Sequence, residues 1–200
     1  TIWCSGTSYA PQILWYRFAL FTIKFPPLHW STDQGVSVQS SMKLVNSDDI
    51  AGYTNQLFEH WTSKIIEIIP GAEIEHIGST AVSNSMTKGD VDLYVGVQAN
   101  QFKAAIRSLR SIGFINKPEH FQDDKLCMLV NDEVPDIALQ VVSKGSKYEF
   151  FLIFRDLLRN DRELNHAYSQ LKLDSIECNP EEYRQKKAIF IEAVLARHSN

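Results

Sequence analysis

The sequence has few cysteines and no excess of either charge. Its three cysteines, Cys4, Cys127 and Cys178, are far apart and form neither a CxxC pair nor a zinc-ligand spacing. Such a set is typical of a reducing compartment, so we expect a cytoplasmic location. The formal net charge is −4 over 200 residues. Proteins that bind long nucleic acids through bulk electrostatics need a clustered excess of Lys and Arg, so that mode of binding is not expected.

Long apolar runs and familiar phosphate-loop or zinc motifs are also missing. An apolar stretch at residues 13–25 is interrupted by Arg17 and Lys24 and is shorter than the roughly 20 residues that cross a bilayer. We therefore expect no membrane association. No Gly-x-x-x-x-Gly-Lys-Ser/Thr motif occurs, and no two histidines lie four residues apart. These absences argue against a P-loop kinase and against a zinc protease.

The first 41 residues differ in composition from the rest. They hold three of the four tryptophans but only three charged residues, Arg17, Lys24 and Asp33. Three interpretations are open: a non-native or upstream-translated extension, an arm that packs against the domain or a partner, and a membrane-surface anchor. Because Met42 resembles a natural start, we expect an atypical N-terminal extension over residues 1–41 and one folded domain over residues 42–200.

From Met42 onward, hydrophobic periodicity predicts an α+β fold. A helix-start signal at residues 47–49 is followed by apolar residues three and four apart until Pro70-Gly71, and a second helix is indicated over residues 102–112. Alternating patterns predict β-strands at residues 73–77, 90–97, 114–115, 126–130 and 136–142. From residue 148 the pattern is helical, with a last helix starting at Pro180. We expect a small mixed sheet backed by helices, with a helical C-terminal tail.

Carboxylates are placed selectively on two of these strands. Asp90 and Asp92 lie two residues apart, so both would face the same side of a strand, roughly 6.5–7 Å from each other. Such a pair suits Mg²⁺, or Mn²⁺, which takes one or two carboxylates and completes its shell with water and substrate phosphates. Asp136, at the start of a later strand, could add a third carboxylate as metal ligand or as base for an incoming hydroxyl.

A Gly-Ser turn precedes these acids. Gly78 and Ser79 directly follow a predicted strand, where a tight turn could aim backbone N–H groups and a hydroxyl at an anion. Taken singly, a Gly-Ser turn is often only a turn, and an Asp-x-Asp pair is often only a solvated strand face. The combination and its order carry the functional interpretation.

The order Gly-Ser, a spacer of ten residues, Asp-x-Asp and a later Asp resembles the pattern of the nucleotidyltransferase superfamily. From about residue 45 to the C-terminus the chain is also similar to the GrpB family of nucleotidyltransferase-like proteins. The similar parts are residues 74–82, 87–93 and 154–159, followed by Tyr168, Lys172, Tyr183 and Lys187. Many GrpB proteins keep only the acid at the place of Asp92, whereas this chain has both acids. It also has Ser83-Asn84 where the family usually has Pro-Gly.

The resemblance implies a Mg²⁺-dependent nucleotidyltransferase that moves a nucleoside monophosphate from an NTP to an unidentified small or macromolecular acceptor. Gly78 and Ser79 would hold phosphates, and Asp90, Asp92 and Asp136 would be the catalytic and metal-binding acids. Further phosphate contacts would come from Lys88, Arg155, Lys172 and Lys187. Two alternatives are a nucleotide- or phosphometabolite-binding module without turnover, and an accessory protein that contacts a partner through its aromatic N-terminal arm.

For His76 and for three phenylalanines the sequence favours a structural role over a functional one. We expect His76 to be a hydrogen-bonded structural residue, and the phenylalanines at positions 150, 151 and 154 to belong to the core rather than to a base-stacking platform. Arg155 and Asp156 are neighbours on a predicted helix and should face differently, so we expect no ion pair between them.

Overall fold

The computed structural model describes residues 43–117 and 122–198, so the expectations for residues 1–41 and Met42 lie outside the described residues. The described residues form five α-helices: α1 (Ala51–Ile68), α2 (Phe102–Ser111), α3 (Phe150–Asn160), α4 (Arg162–Leu173) and α5 (Pro180–His198). They also form seven β-strands: β1 (Val45–Asn46), β2 (Glu73–Ile77), β3 (Met86–Thr87), β4 (Val91–Val97), β5 (Phe114–Ile115), β6 (Leu126–Asn131) and β7 (Ile137–Ser143).

Five strands form one mixed sheet in the order β2-β4-β7-β6-β5. Strands β4 and β7 are parallel, and the other neighbouring pairs are antiparallel. Strands β1 and β3 form a separate antiparallel pair. The predicted α+β class, with a small mixed sheet and a helical tail, is confirmed, and each predicted strand begins and ends within one residue of its expected place.

Helices cover both faces of the central sheet. On one face of β4, Val91 and Leu93 pack with Trp61 of α1 and Leu109 of α2. The opposite face packs against α3 and α5, where Ile191 of α5 joins the second cluster. Fully burying a side chain such as Leu93 contributes about 1.5–3 kcal/mol to folding. Because both faces are covered, the central strands are apolar along their length, and a polar side chain there stands out.

The helical segment begins at Ser47, where the sequence predicts a helix start, but a different residue caps it. A 3₁₀ turn over Ser47–Ile50 precedes α1, and the side chain of Asn46 caps that turn by accepting a hydrogen bond from the Asp48 amide at 3.0 Å. Ser47 instead donates its hydroxyl proton to the Val82 carbonyl at 2.7 Å. Ser47 is thus used to fasten the loop at Val82, which follows the Gly78-Ser79 turn. In the described part of the chain, no helix is long and apolar enough to cross a membrane.

Candidate functional site

The Gly78-Ser79 turn leaves β2 and passes directly over an acid of β4. Ile77, the last residue of β2, is paired with Asp92. Gly78 has φ 75°, and a Cβ built there would lie 2.5 Å from Oδ2 of Asp92. Glycine is required for both reasons, because it tolerates positive φ and because its backbone can approach the carboxylate. The predicted anion loop and the predicted metal ligand are therefore in contact.

Asp90 and Asp92 lie together at the start of β4, and both are half-buried. Burial raises the pKa of Asp92, the charge of Asp90 raises it further, and the charge of Lys187 lowers it. Burial also raises the pKa of Asp90, whereas Lys88 lowers it. Two poorly hydrated carboxylates that repel each other are relieved by a bound cation, and their hard oxygens suit a divalent ion.

Asp136 lies at the rim of this group. The parallel pairing of Val91 with Ile137 places Asp136 beside Asp90, and its charge contributes to the raised pKa of Asp90. Asp136 is exposed and accepts a hydrogen bond from the Tyr53 hydroxyl at 2.9 Å. Within residues 43–117 and 122–198, no three His, Cys, Asp or Glu side chains are placed to hold one metal ion. Asp136 as a third ligand stays a prediction.

Lys172 of α4 reaches the Gly-Ser turn from the opposite side. It is only 3% exposed, and its ammonium donates hydrogen bonds to the Ser79 hydroxyl and to the Met86 carbonyl. It also lies 4.2 Å from the ring centroid of Tyr168. Burial lowers the pKa of Lys172 to about 7, and the charge of Lys187 adds to this shift. A buried amine that loses its proton this easily would gain from a bound anion.

Two further lysines complete a cationic cluster around the acids. Burial lowers the pKa of Lys187, while the charge of Asp92 opposes that shift. Burial also lowers the pKa of Lys88. The ammonium of Lys187 lies 5.9 Å from the ring centroid of Tyr183, and the ammonium of Lys88 lies 4.8 Å from it. The structure thus gathers the predicted residues Lys88, Lys172 and Lys187 around the two acids.

Arg155 is close to the site, but its donors are engaged by the protein. It is 7% exposed, and its Nη1 donates to Glu75 at 2.7 Å and to the His76 carbonyl at 3.1 Å. Its Nε donates to Asp156 at 2.8 Å, so the expectation that these neighbours would not pair is wrong. A long guanidinium stem can turn along the helix surface and reach a short adjacent side chain. Phosphate binding by Arg155 stays a prediction.

His76 has the structural role expected from the sequence. Its Nε2 lies 3.0 Å from the Thr80 hydroxyl oxygen, and its ring stacks on Phe58 with centroids 5.0 Å apart. The Thr80 hydroxyl donates to the Asp90 carbonyl at 2.9 Å, so its lone pairs are free to accept from a neutral His76. Burial lowers the pKa of His76 to about 4, with smaller contributions from Arg159 and Arg155. This chain of contacts holds the Gly-Ser turn against β4.

A cavity of about 90 Å³ lies between the sheet and the helices α3 and α5, and Gly78, Ser79 and Asp92 line it. Phe150, Phe151 and Phe154 line its apolar wall. Phe150 is buried as expected for the core, whereas the other two are only half-buried. The core interpretation therefore holds for Phe150 and is incomplete for its two neighbours, which form a cavity wall beside the acids.

Sequence reasoning missed two polar residues of this cavity, Gln140 and Arg184. Gln140 of β7 is 1% exposed, and among the described residues neither polar atom of its side chain has a hydrogen-bond partner. Its amide faces Asp92 and modestly lowers the pKa of that acid, without completing a hydrogen bond of normal geometry. The signal for Gln140 was a polar residue inside an apolar strand. Arg184 had no such signal, because it lies in a helix rich in charge.

The chain matches known proteins over nearly all of its described part. The family model described as GrpB protein matches residues 49–197. A UPF0157 protein of Vibrio cholerae is 38% identical over 157 residues, which are 78% of this chain and 84% of the relative. The conserved protein GrpB from Enterococcus faecalis has a similar structure, with a TM-score of 0.64 and 21% identity over 79% of this chain and 100% of that one. The Cid1 poly(U) polymerase bound to MgGTP has a TM-score of 0.48 and 15% identity over 66% of this chain and 44% of the other.

Proposed function

The chain belongs to the GrpB family, and we propose that it is a Mg²⁺-dependent nucleotidyltransferase that moves a nucleoside monophosphate from an NTP onto an acceptor. One observation carries the proposal. Two desolvated carboxylates, Asp90 and Asp92, lie against the Gly78-Ser79 turn, and the lysines at positions 88, 172 and 187 surround them. The site holds poorly hydrated carboxylates and poorly hydrated ammonium groups. A metal-bound triphosphate carries both positive and negative charge, so it can pair with both kinds of group.

The acids fit the metal that such a reaction uses. Asp90 and Asp92 offer hard oxygen donors, and Mg²⁺ commonly takes one or two carboxylates together with phosphate oxygens. When bound, Mg²⁺ or Mn²⁺ would neutralise charge on the phosphate oxygens of the substrate. Gly78 allows the backbone of the turn to approach the carboxylate of Asp92, since a Cβ there would lie 2.5 Å from its Oδ2.

The basic side chains would bind the phosphates that leave as pyrophosphate. The hydroxyl of Ser79 and the ammonium of Lys172 are already in contact, and together they would bind the β- and γ-phosphates. Lys187 and Lys88 would neutralise the charge that develops on the departing pyrophosphate. The contribution of the protein is then the positioning of the NTP and the neutralisation of its charge.

Transfer itself needs an acceptor hydroxyl and a base. The acceptor oxygen attacks the α-phosphorus, the bond from that phosphorus to the bridging oxygen breaks, and pyrophosphate leaves. The hydroxyl proton passes to a carboxylate, and we assign this role to Asp136, which lies beside Asp90 and is held by Tyr53. A general base needs access to its substrate, and the exposed position of Asp136 provides it.

Turnover of isotopically labelled NTPs tests the proposal. With Mg²⁺ and a small-molecule cell extract as the source of acceptor, the wild-type protein should move an α-phosphorus label to a product and release pyrophosphate. Asp92→Ala should abolish both events, whereas Asp124→Ala, at an exposed acid before β6, should not. Transfer of a γ-label, or turnover that survives Asp92→Ala, would contradict the proposal.

The second candidate is a nucleotide-binding module with this fold and no turnover. Asp136 favours it, because this acid is engaged by Tyr53 and does not form a three-acid metal group with its neighbours among the described residues. A binding module predicts thermal stabilisation by NTP and Mg²⁺ without release of pyrophosphate. The accessory-protein alternative concerns residues 1–41, which lie outside the described part of the chain.

A further inference from the structure

Gln140 is a buried amide at the inner wall of the cavity beside Asp92. It is 1% exposed, and neither Nε2 nor Oε1 has a hydrogen-bond partner among the described residues. Its neighbours in the strand, Leu139 and Val141, are fully buried apolar residues of the opposite face. Buried polar side chains are nearly always hydrogen-bonded, so an amide left without a partner calls for an explanation. A bound ligand would supply both missing contacts.

The cavity limits the size of that ligand. Its volume is about 90 Å³. An engineered apolar cavity of roughly 150 Å³ accepts benzene. The closed cavity is smaller than this, so a single ring fits only if the half-buried side chains of Phe151 and Phe154 move outward. Aromatic walls favour a planar group, because rings pack well in offset and edge-to-face arrangements.

The chemistry of the wall restricts the ligand further. A Gln side chain presents a donor and an acceptor side by side, which a cyclic amide matches with its own N–H and C=O. The terminal torsion of Gln is broad, so a small rotation can turn the amide into the cavity. The apolar part of the wall would desolvate a phosphate and therefore favours a neutral group, whereas the polar part, with Ser79, Arg155 and Lys187, suits the phosphates of the NTP.

We propose that Gln140 and the phenylalanine-lined cavity form a subsite for a neutral planar group, no larger than one ring, that carries an adjacent donor and acceptor. We assign this group to the acceptor substrate, an assignment that rests on the proposed function. The phosphates of the NTP would be held at Ser79 and Lys172, and because Ser79 and Asp92 also line this cavity, a ring bound at Gln140 would lie beside them. A group seated in the cavity would hold the acceptor next to the reacting phosphorus.

Binding of 2-pyridone, the smallest aromatic cyclic amide of this shape, tests the subsite by ligand-observed NMR without metal or NTP. Wild-type protein and Gln185→Leu, a change at an exposed position of α5, should bind it equally. Gln140→Leu should bind it about tenfold more weakly, because two hydrogen bonds are lost. N-methyl-2-pyridone, which lacks the donor but keeps the carbonyl, should lose less affinity than 2-pyridone on the change Gln140→Leu, because it forms only one hydrogen bond with the amide. Absence of 2-pyridone binding to wild type, or equal binding to Gln140→Leu, would overturn the proposal.

The melting temperature of the free protein gives a second readout. If the amide of Gln140 has no partner in the free protein, Gln140→Leu should raise the melting temperature by about 2–4 °C, because leucine needs no hydrogen bonds. A lower melting temperature for this variant would mean that the amide already has its partner, and the subsite would be discarded. Gln185→Leu should leave the value unchanged.

Competition separates the two possible sources of the ring. If the group belongs to the acceptor, 2-pyridone and NTP with Mg²⁺ should bind together, and neither should displace the other. Displacement of 2-pyridone by pyrimidine NTPs would instead assign the cavity to the base of the nucleotide and overturn the acceptor assignment. Because 2-pyridone binding needs no turnover, failure of the proposed transferase activity would leave the binding result standing.

Discussion

Gly78 is constrained both by its positive φ and by its contact with Asp92, and the energetic costs of the two can be measured separately. Gly145 has the same φ of 75°, but a Cβ there would meet nothing within 4 Å. We expect Gly145→Ala to lower the free energy of unfolding by about 1–2 kcal/mol, which is the cost of a left-handed conformation for a residue with a Cβ. Gly78→Ala should cost more, because its Cβ would also press on the carboxylate of Asp92.

Urea unfolding of both variants measures the difference, and the response of each to NTP with Mg²⁺ completes the comparison. Gly78→Ala should weaken nucleotide binding by displacing Asp92, whereas Gly145→Ala should not. Equal losses of stability in the two variants would mean that the contact between the turn and the acid is not tight.

The lowered pKa of Lys172 makes the free energy of unfolding depend on pH. Its pKa is about 7 in the folded protein, against an ordinary value of 10.5. Between these values the unfolded chain binds the proton and the folded chain does not, so this group makes stability rise as the pH increases from about 7 towards 10.5. Lys172→Met should lose this component of the pH profile, whereas Lys103→Met, at an exposed position of α2, should keep it.

Nucleotide affinity should depend on the same proton with the opposite sign. A phosphate is bound by the ammonium form, so the affinity of the wild-type protein for NTP should fall as the pH rises above about 7. Titration calorimetry between pH 6 and pH 9, values chosen to bracket the pKa of about 7, measures this effect. An affinity that does not change over this interval in wild type would remove Lys172 from the phosphate site.

At the scale of elements, helix α4 fastens the loop that follows the Gly-Ser turn. Three side chains spaced along one side of the helix bind this loop. Asn165 donates to the Ser83 carbonyl at 3.0 Å, Ser169 accepts from the Met86 amide at 3.0 Å, and Lys172 donates to the Met86 carbonyl. The helical tail therefore helps to shape the phosphate loop in addition to covering the sheet.

Ser169→Ala should loosen this attachment. The Met86 amide would lose its partner, and we expect a loss of about 1–3 kcal/mol in the free energy of unfolding. Hydrogen exchange should become faster in residues 83–87 but not in the central strand β4. Ser63→Ala, which removes an exposed hydroxyl bonded within α1, is the control and should change neither quantity. Unchanged exchange in residues 83–87 would show that α4 does not hold the loop.

The elements themselves were largely predictable from local pattern. The alternation of Val91, Leu93, Val95 and Val97 identified β4, because a strand places every second side chain on one face. The place where the first helical turn begins was predicted as well, but its capping residue was not. Ser47 had the right side chain for a cap, but it is bonded to Val82, 35 residues away. Local rules cannot anticipate a contact that only the folded chain creates.

For the whole molecule, we predict that residues 42–200 fold without the first 41 residues. The family match covers residues 49–197, and helices of the described part cover both faces of the central sheet. The shortened chain should keep the melting temperature and the nucleotide response of the full chain. A clearly lower melting temperature, measured by calorimetry, would show that residues 1–41 pack on the domain and would support the arm interpretation.

Much of the candidate site was also predictable, and what was missed has a common cause. Gly78, Asp92 and Lys172 were found because a resemblance linked short motifs that lie far apart in the chain. Gln140 and the cavity were missed, because they depend on how α3 and α5 pack against the sheet. Packing between distant segments leaves no local pattern, so only the folded arrangement reveals a cavity or an amide without a partner.

The most direct test of the site is a thermal-shift panel of four NTPs, each with and without Mg²⁺, on wild type, Asp92→Asn and Asp124→Asn. Each shift is read against the free form of the same variant. At a ligand concentration about 100 times the Kd, wild type and Asp124→Asn should gain about 5–10 °C with at least one NTP, and only with Mg²⁺ present. Asp92→Asn should show no Mg²⁺-dependent gain. An equal gain in Asp92→Asn, or no gain in wild type with any NTP, would contradict the assignment of a metal–nucleotide site to Asp92.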